Sequence, residues 1–270
     1  MLPETFSLHA VVVGVDGSAE ALRAVRAAAA EAARRRLALR VIATYPPPPG
    51  SGRSARGRWR PYADAHRVGA EAVDEALGIH PDLPVELSEA AGDLAGALIA
   101  QSRVARLVVL SAAGTDRWAG LLGRSAATRV AAHAACPTLA VRRARGDGPT
   151  LLGVDGSPPA AAAVPAAFEE ASLRGTGLRA VYVCGHKDDL AAAAGLIGEA
   201  VAAWVDKHPD VEVRADPRVA ARPDREIVAL SAEASLAVVA ASGAGGARLG
   251  SVTRGLLHHG GCPVLVIPVS

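Results

Sequence analysis

Ala10-Val11-Val12-Val13-Gly14-Val15-Asp16-Gly17-Ser18 decides the fold, because it returns as Leu151-Leu152-Gly153-Val154-Asp155-Gly156-Ser157. Each copy is a short apolar run, a Gly-Val-Asp-Gly-Ser turn, and then an Ala-rich segment of helical composition. A second pair of marks lies downstream. Cys136-Pro137-Thr138-Leu139-Ala140-Val141 answers to Cys262-Pro263-Val264-Leu265-Val266-Ile267. Strand, turn, helix and a Cys-Pro-led last strand therefore occur twice in the same order, which predicts an internal duplication.

Working outward, residues 9–15 are almost wholly apolar, as a strand covered on both faces of a parallel sheet requires. Ser18 is placed to cap a helix over 19–36, with Glu20 near its positive end. The first half continues as strand 37–44, helix 62–79, strand 85–90, helix 92–103, strand 107–111, helix 125–135 and strand 138–142. Residues 46–61 are too rich in Pro, Gly and Arg for regular structure. The charged, breaker-rich stretch 142–149 reads as a linker. The second half repeats the order: strand 150–154, helix 158–174, strand 178–183, helix 189–207, strand 211–214, helix 223–233, strand 236–241, Gly-rich loop 243–250, helix 251–259 and strand 264–268. This alternation predicts two tandem α/β domains, 1–144 and 149–270. Each is Rossmann-like and doubly wound, with a five-stranded parallel sheet.

The bulk numbers fit. A chain of 270 residues, half of them hydrophobic, holds two cores of ordinary size. A net charge of +2 gives no general attraction to nucleic acid. The arginines at 53–60 are read as a solvated loop, and nucleic acid is not expected as a partner. The start of the chain lacks the basic and apolar pattern of a secretory signal, and no run is long enough to cross a bilayer, so no membrane is expected. Three sparse cysteines suit a reducing compartment, and a cytoplasmic location is expected.

At these residues the chain resembles the universal stress protein family in its tandem, two-domain form. The family pattern has an early Val-Gly-x-Asp-x-Ser and a late Gly-x2-Gly-x9-Gly-Ser/Thr, followed by a helix and Cys-Pro-Val-Leu-Val-Val. Residues 250–268, GSVTRGLLHHGGCPVLVIP, are very close to that ending, whereas 92–142 keep its spacing with eroded sequence. The resemblance implies a stress-linked regulator or sensor. It would bind ATP or a related adenine nucleotide without rapid turnover, with Mg2+ as an allowed companion and with one half free to remain empty. The set it implies is Gly14, Asp16, Ser111, Gly114, Thr115 and Ser125 in the first half. In the second half it is Gly153, Asp155, Ala240, Gly243, Gly245, Gly246, Gly250, Ser251 and Val252. The aspartates would reach the nucleoside, the glycines would admit ribose and phosphates, and Gly-Ser would open a helix that holds phosphate. Elementary physics points to the same place. Open parallel sheets bind ligands at the carboxyl ends of their strands, and helix starts attract anions.

Neither half matches the pattern in full. Ser111 and Arg124 stand where the first and third glycines belong in the first half. Arg124 could obstruct an anion or pair with one. In the second half Ala240 replaces the first glycine, and six residues separate Gly243 from Gly250 where the pattern has nine. These departures favour the opposing reading, a nucleotide-independent interaction scaffold. A slow ATPase is a weaker third reading. No G-x-x-x-x-G-K-S/T loop occurs, and no nucleophile, base and orienting group announce themselves, so no enzyme is expected. Asp16 and Asp155 have a plainer alternative as turn residues. His258 and His259 lie about 100° apart around a helix and do not share a metal easily; no metal site is expected. Cys136 and Cys262 are read as buried packing, and Cys184 as a residue near the pocket. The last strands, 138–142 and 264–268, are apolar and need partners, which predicts pairing of the two domains as an internal pseudo-dimer. A homodimer of the whole chain is compatible with it.

Overall fold

The structure, a computed structural model, describes residues 9–47, 60–112, 126–144, 146–241 and 249–269. It divides into unit 1, Met1–Val141, and unit 2, Arg142–Ser270.

Unit 1 runs β1 (Val11–Val15), α1 (Ala19–Arg35), β2 (Leu39–Tyr45), α2 (Arg60–Ile79), β3 (Val85–Ala91), α3 (Leu94–Gln101), β4 (Leu107–Ser111), α4 (Ala126–His133) and β5 (Thr138–Val141). Its strands lie in the order β3-β2-β1-β4-β5 and pair in parallel. Every residue of β1 is buried, which is why that strand reads as continuous apolar sequence. Ser18 caps α1: its hydroxyl accepts from the Ala21 amide at 3.1 Å. The helix ends at Arg36, whose φ of 53° is left-handed, with the Arg36 and Leu37 amides returning to Ala33 and Ala32.

Unit 2 repeats the pattern with β6 (Gly148–Gly153), α5 (Pro158–Arg174), β7 (Leu178–Cys184), a single 3₁₀ turn at Lys187–Asp189, α6 (Leu190–Val205), β8 (Val213–Val219), α7 (Pro223–Leu230), β9 (Ala234–Ala240), α8 (Ser251–His259) and β10 (Val264–Ile267). Its strand order, β8-β7-β6-β9-β10, is that of unit 1, again in parallel. Ser157 caps α5 as Ser18 caps α1, and Gly175 takes the left-handed turn that Arg36 takes in unit 1, at a φ of 61°.

Several elements differ from the sequence expectation: β6 begins at Gly148, inside the expected linker 142–149, α7 ends at Leu230 rather than 233, and β8 and α2 depart as follows. The strand expected at 211–214 is β8 and runs from Val213 to Val219, through Arg214, Asp216, Pro217 and Arg218. Val211 is buried, but its amide closes a turn onto the His208 carbonyl. An outer strand tolerates a proline because one side of it needs no ladder bonds. Its buried carboxylate, Asp216, is held by Arg179 and Arg218. Residues 46–61 were expected to be irregular, yet α2 already begins at Arg60. Pro61 then falls in the first turn, where its missing N–H costs nothing.

Candidate functional site

In both units the chain leaves the central strand, crosses to one side, and later returns on the other. The order reverses between β1 and β4 in unit 1, and between β6 and β9 in unit 2. This is the switch point at which open α/β sheets leave a crevice beyond the strand ends.

Asp16 and Asp155 stand at those ends and are both exposed. Each organises its own turn. Asp16 Oδ1 accepts from the Ser18 amide at 3.0 Å and from the Ser18 hydroxyl at 2.6 Å. Asp155 Oδ1 accepts from Ser157 in the same way, at 2.9 and 2.5 Å. The plainer reading of these aspartates, as turn residues, is thus realised through Oδ1. Gly17 and Gly156 have φ of +79° and +74°, so the turn itself requires glycine.

Gly14 and Gly153 precede these turns in different surroundings. A Cβ on Gly14 would lie 2.8 Å from Leu98 Cδ1 and 3.0 Å from Leu94 Cδ1, so close packing of α3 accounts for that glycine. A Cβ on Gly153 would meet only Val239 Cγ1, at 3.7 Å, among the described residues.

Ser111 ends β4, partly buried and paired in register with Val141; Ala112, which follows, donates its amide to the Val141 carbonyl at 2.8 Å. Ala240 ends β9 and is buried. Its carbonyl accepts from the Thr253 hydroxyl at 2.9 Å, which fastens the first turn of α8 to the end of β9. The Leu152–Val238 register puts Val154 level with Ala240, so Asp155, Ala240 and the start of α8 share one rim. The cap of α8 is Gly250, which makes no side-chain capping bond; Ser251 is exposed and Val252 half-buried. The first amides of α8 therefore have no side-chain acceptor from their own cap, which suits a phosphate or another anion. Gly114, Thr115, Ser125, Gly243, Gly245 and Gly246 lie outside the described residues, as does Arg124.

The cysteines are buried free thiols. Burial pushes Cys136 up to about 11 and Cys262 up to about 12, so both stay protonated near neutrality. Cys184, at the end of β7, donates to the carbonyls of His186 and Arg218.

Sequence reading did not single out Leu94, Leu98, Arg129 or Arg222, and took Asp93 only as the residue at the start of a helix. Asp93 caps α3 through the Gly96 amide at 2.9 Å and pairs with Arg129 of α4 at 2.9 Å. Arg222, at the start of α7, pairs with Asp224. The signal available in the sequence was the difference between the two halves at equivalent positions.

Among the described residues no helix is long and apolar enough to cross a membrane. The sequence matches the Universal stress protein family over residues 8–142 and 149–268. A universal stress protein of Mycobacterium tuberculosis is 34% identical over 289 residues, covering 96% of both chains. The crystal structure of a universal stress protein from Archaeoglobus fulgidus covers 97% of this chain and 99% of its own, with a TM-score of 0.73 and 18% identity. A universal stress protein solved in complex with cAMP covers 50% of this chain and 99% of its own at 28% identity, with a TM-score of 0.41. Two family matches on two units of one topology, together with a relative similar from end to end, establish that this chain belongs to the universal stress protein family as a tandem of two domains.

Proposed function

We propose that this protein binds ATP or a related adenine nucleotide at the carboxyl edge of its sheets, and that occupancy, without rapid turnover, controls an interaction or conformation in a stress response. The observation that carries the reading is the start of α8. A helix fastened by Thr253 to the end of β9 opens from Gly250 with no side-chain cap, at the switch point and on the rim that holds Asp155. Amides at a helix start and the helix dipole suit phosphates. Asp155, fixed through Oδ1, can offer Oδ2 to a ribose or base donor. The sequence carries no phosphate-loop lysine, which supports reading the site as one without rapid turnover.

A second reading, a nucleotide-independent interaction protein, is favoured by unit 1, where Leu94 and Leu98 occupy the space over Gly14. Mass spectrometry of the purified chain after denaturation separates the two. The nucleotide reading expects an adenine nucleotide released in stoichiometric amount, or a thermal shift when millimolar ATP is added to empty protein. Empty protein with no shift, for ATP and for cAMP alike, leaves the interaction reading. Multiple-turnover phosphate release would replace both with an enzyme.

A further inference from the structure

The two units can be compared residue by residue at their crevices. Ser102 and Ser231 are equivalent: each donates its hydroxyl three residues back, to Ile99 or Val228, and accepts the amide ahead of the last strand, Ala135 or Gly261. Counting back, Leu94 answers to Pro223, Leu98 to Ile227 and Asp93 to Arg222. Counting from Cys136 and Cys262, Arg129 answers to Gly255.

In unit 1, α3 packs against β1 and β2. Leu94 and Leu98 reach Gly14 from it, and Gly14 is buried. Asp93 pairs with Arg129 of α4 at 2.9 Å and so ties the start of α3 to α4. In unit 2, α7 packs against α8 and β7, the counterparts of the α4 and β2 that α3 also meets, and the packing of α3 on β1 is what α7 does not match on β6. Ile227 is buried, yet neither it nor Pro223 comes within 4 Å of a Cβ built on Gly153, which stays partly exposed. The residue in Asp93's place is Arg222, paired only with Asp224 of its own helix among the described residues and 60% exposed. Gly14 is thus packed under leucines, whereas Gly153 has no such neighbour among the described residues, and an ion pair borders each place, Asp93 with Arg129 and Arg222 with Asp224.

We propose that the chain binds one nucleotide, in unit 2, and that Leu94 and Leu98 close the corresponding place in unit 1. This rests on the nucleotide reading above. Unit 2 supplies Asp155, the Gly153 floor and the start of α8. Unit 1 keeps the fold and its Asp-Gly-Ser turn without a place for the ligand.

Calorimetric titration of the full chain with ATP tests it. One site per chain is expected. Ser251→Glu puts a carboxylate at the start of α8 and should lower affinity about tenfold or more, while Ala126→Glu at the start of α4 should leave it unchanged. Should Ser251→Glu fail to fold by circular dichroism, Gly153→Val takes its place. It adds bulk where the nearest described contact is ordinary, Val239 at 3.7 Å, and it too should lower affinity about tenfold or more. Two sites per chain overturn the assignment while leaving the nucleotide reading intact. So does a single site that survives both unit 2 changes, or one that is lost with Ala126→Glu. No heat and no thermal shift for the unmodified chain removes both.

Discussion

Gly14 and Gly153 occupy the same place in the repeated motif and answer to different constraints. Gly14→Ala drives a Cβ to 2.8 Å from a fully buried leucine, Leu98, and should cost about 1–3 kcal/mol. Gly153→Ala meets ordinary contact at 3.7 Å and should leave the stability of the fold unchanged or slightly raised. Urea unfolding of the two variants checks this, and equal losses would mean that the crevices do not differ. Arg36 makes a second such point. It holds a left-handed φ of 53° where the other unit has Gly175 at 61°. Arg36→Gly should stabilise unit 1 by about 1 kcal/mol, read as a higher urea midpoint at unchanged slope. At this scale the sequence shows which residue types recur, but not what they touch. The Asp-Gly-Ser turns were legible because their chemistry is local, two or three residues apart. The closure over Gly14 was not, because it depends on leucines some eighty residues away.

Among the elements, β8 shows where pattern reading stops. Its sequence, VRADPRV, carries charge and a proline where apolar alternation is the usual sign of a strand. What makes it a strand is tertiary: Arg179 on β7 and Arg218 on β8 itself converge on Asp216. Burial alone would raise the Asp216 carboxyl. The hydrogen bonds from Arg218 and Arg179 outweigh it and hold the group below its usual range. A depressed value in the folded state means the stabilisation is complete above the unfolded carboxylate range. It is lost as pH falls through the folded value. Asp216→Asn should therefore cost about 3 kcal/mol at neutral pH, since it takes the carboxylate from Arg218 and leaves Arg179 with Glu233 alone. It should also flatten the acid limb of the stability curve. Denaturant unfolding from pH 7 down to pH 3 reads both, and an unaltered acid limb would show that Asp216 is not its source. The helices were more legible. Ser18, Asp93 and Ser157 stand as caps where Ser and Asp precede Ala-rich or apolar runs.

For the whole molecule, the duplication carried the fold. Two Gly-Val-Asp-Gly-Ser turns and two Cys-Pro-led strands were sufficient to predict two doubly wound parallel sheets, because βαβ crossovers leave few alternatives once strands and helices alternate. They did not predict that the halves would differ at their crevices. That difference comes from α3 and α7, which begin in unlike sequence, GDLAGAL against ARPDREI, and of which only α3 packs closely on the central strand of its unit. The two domains share one topology while the glycine that precedes their repeated turn is packed differently in each.

The central claim is that an adenine nucleotide occupies this chain, and native mass spectrometry of the intact protein at millimolar ATP meets it most directly, paired with a thermal melt of the same sample. The account predicts an adduct of one ATP mass per chain. It also predicts stabilisation of about 2.7 kcal/mol when ATP stands a hundredfold above its Kd. An intact chain that carries no adduct and melts at the same temperature with and without ATP contradicts it.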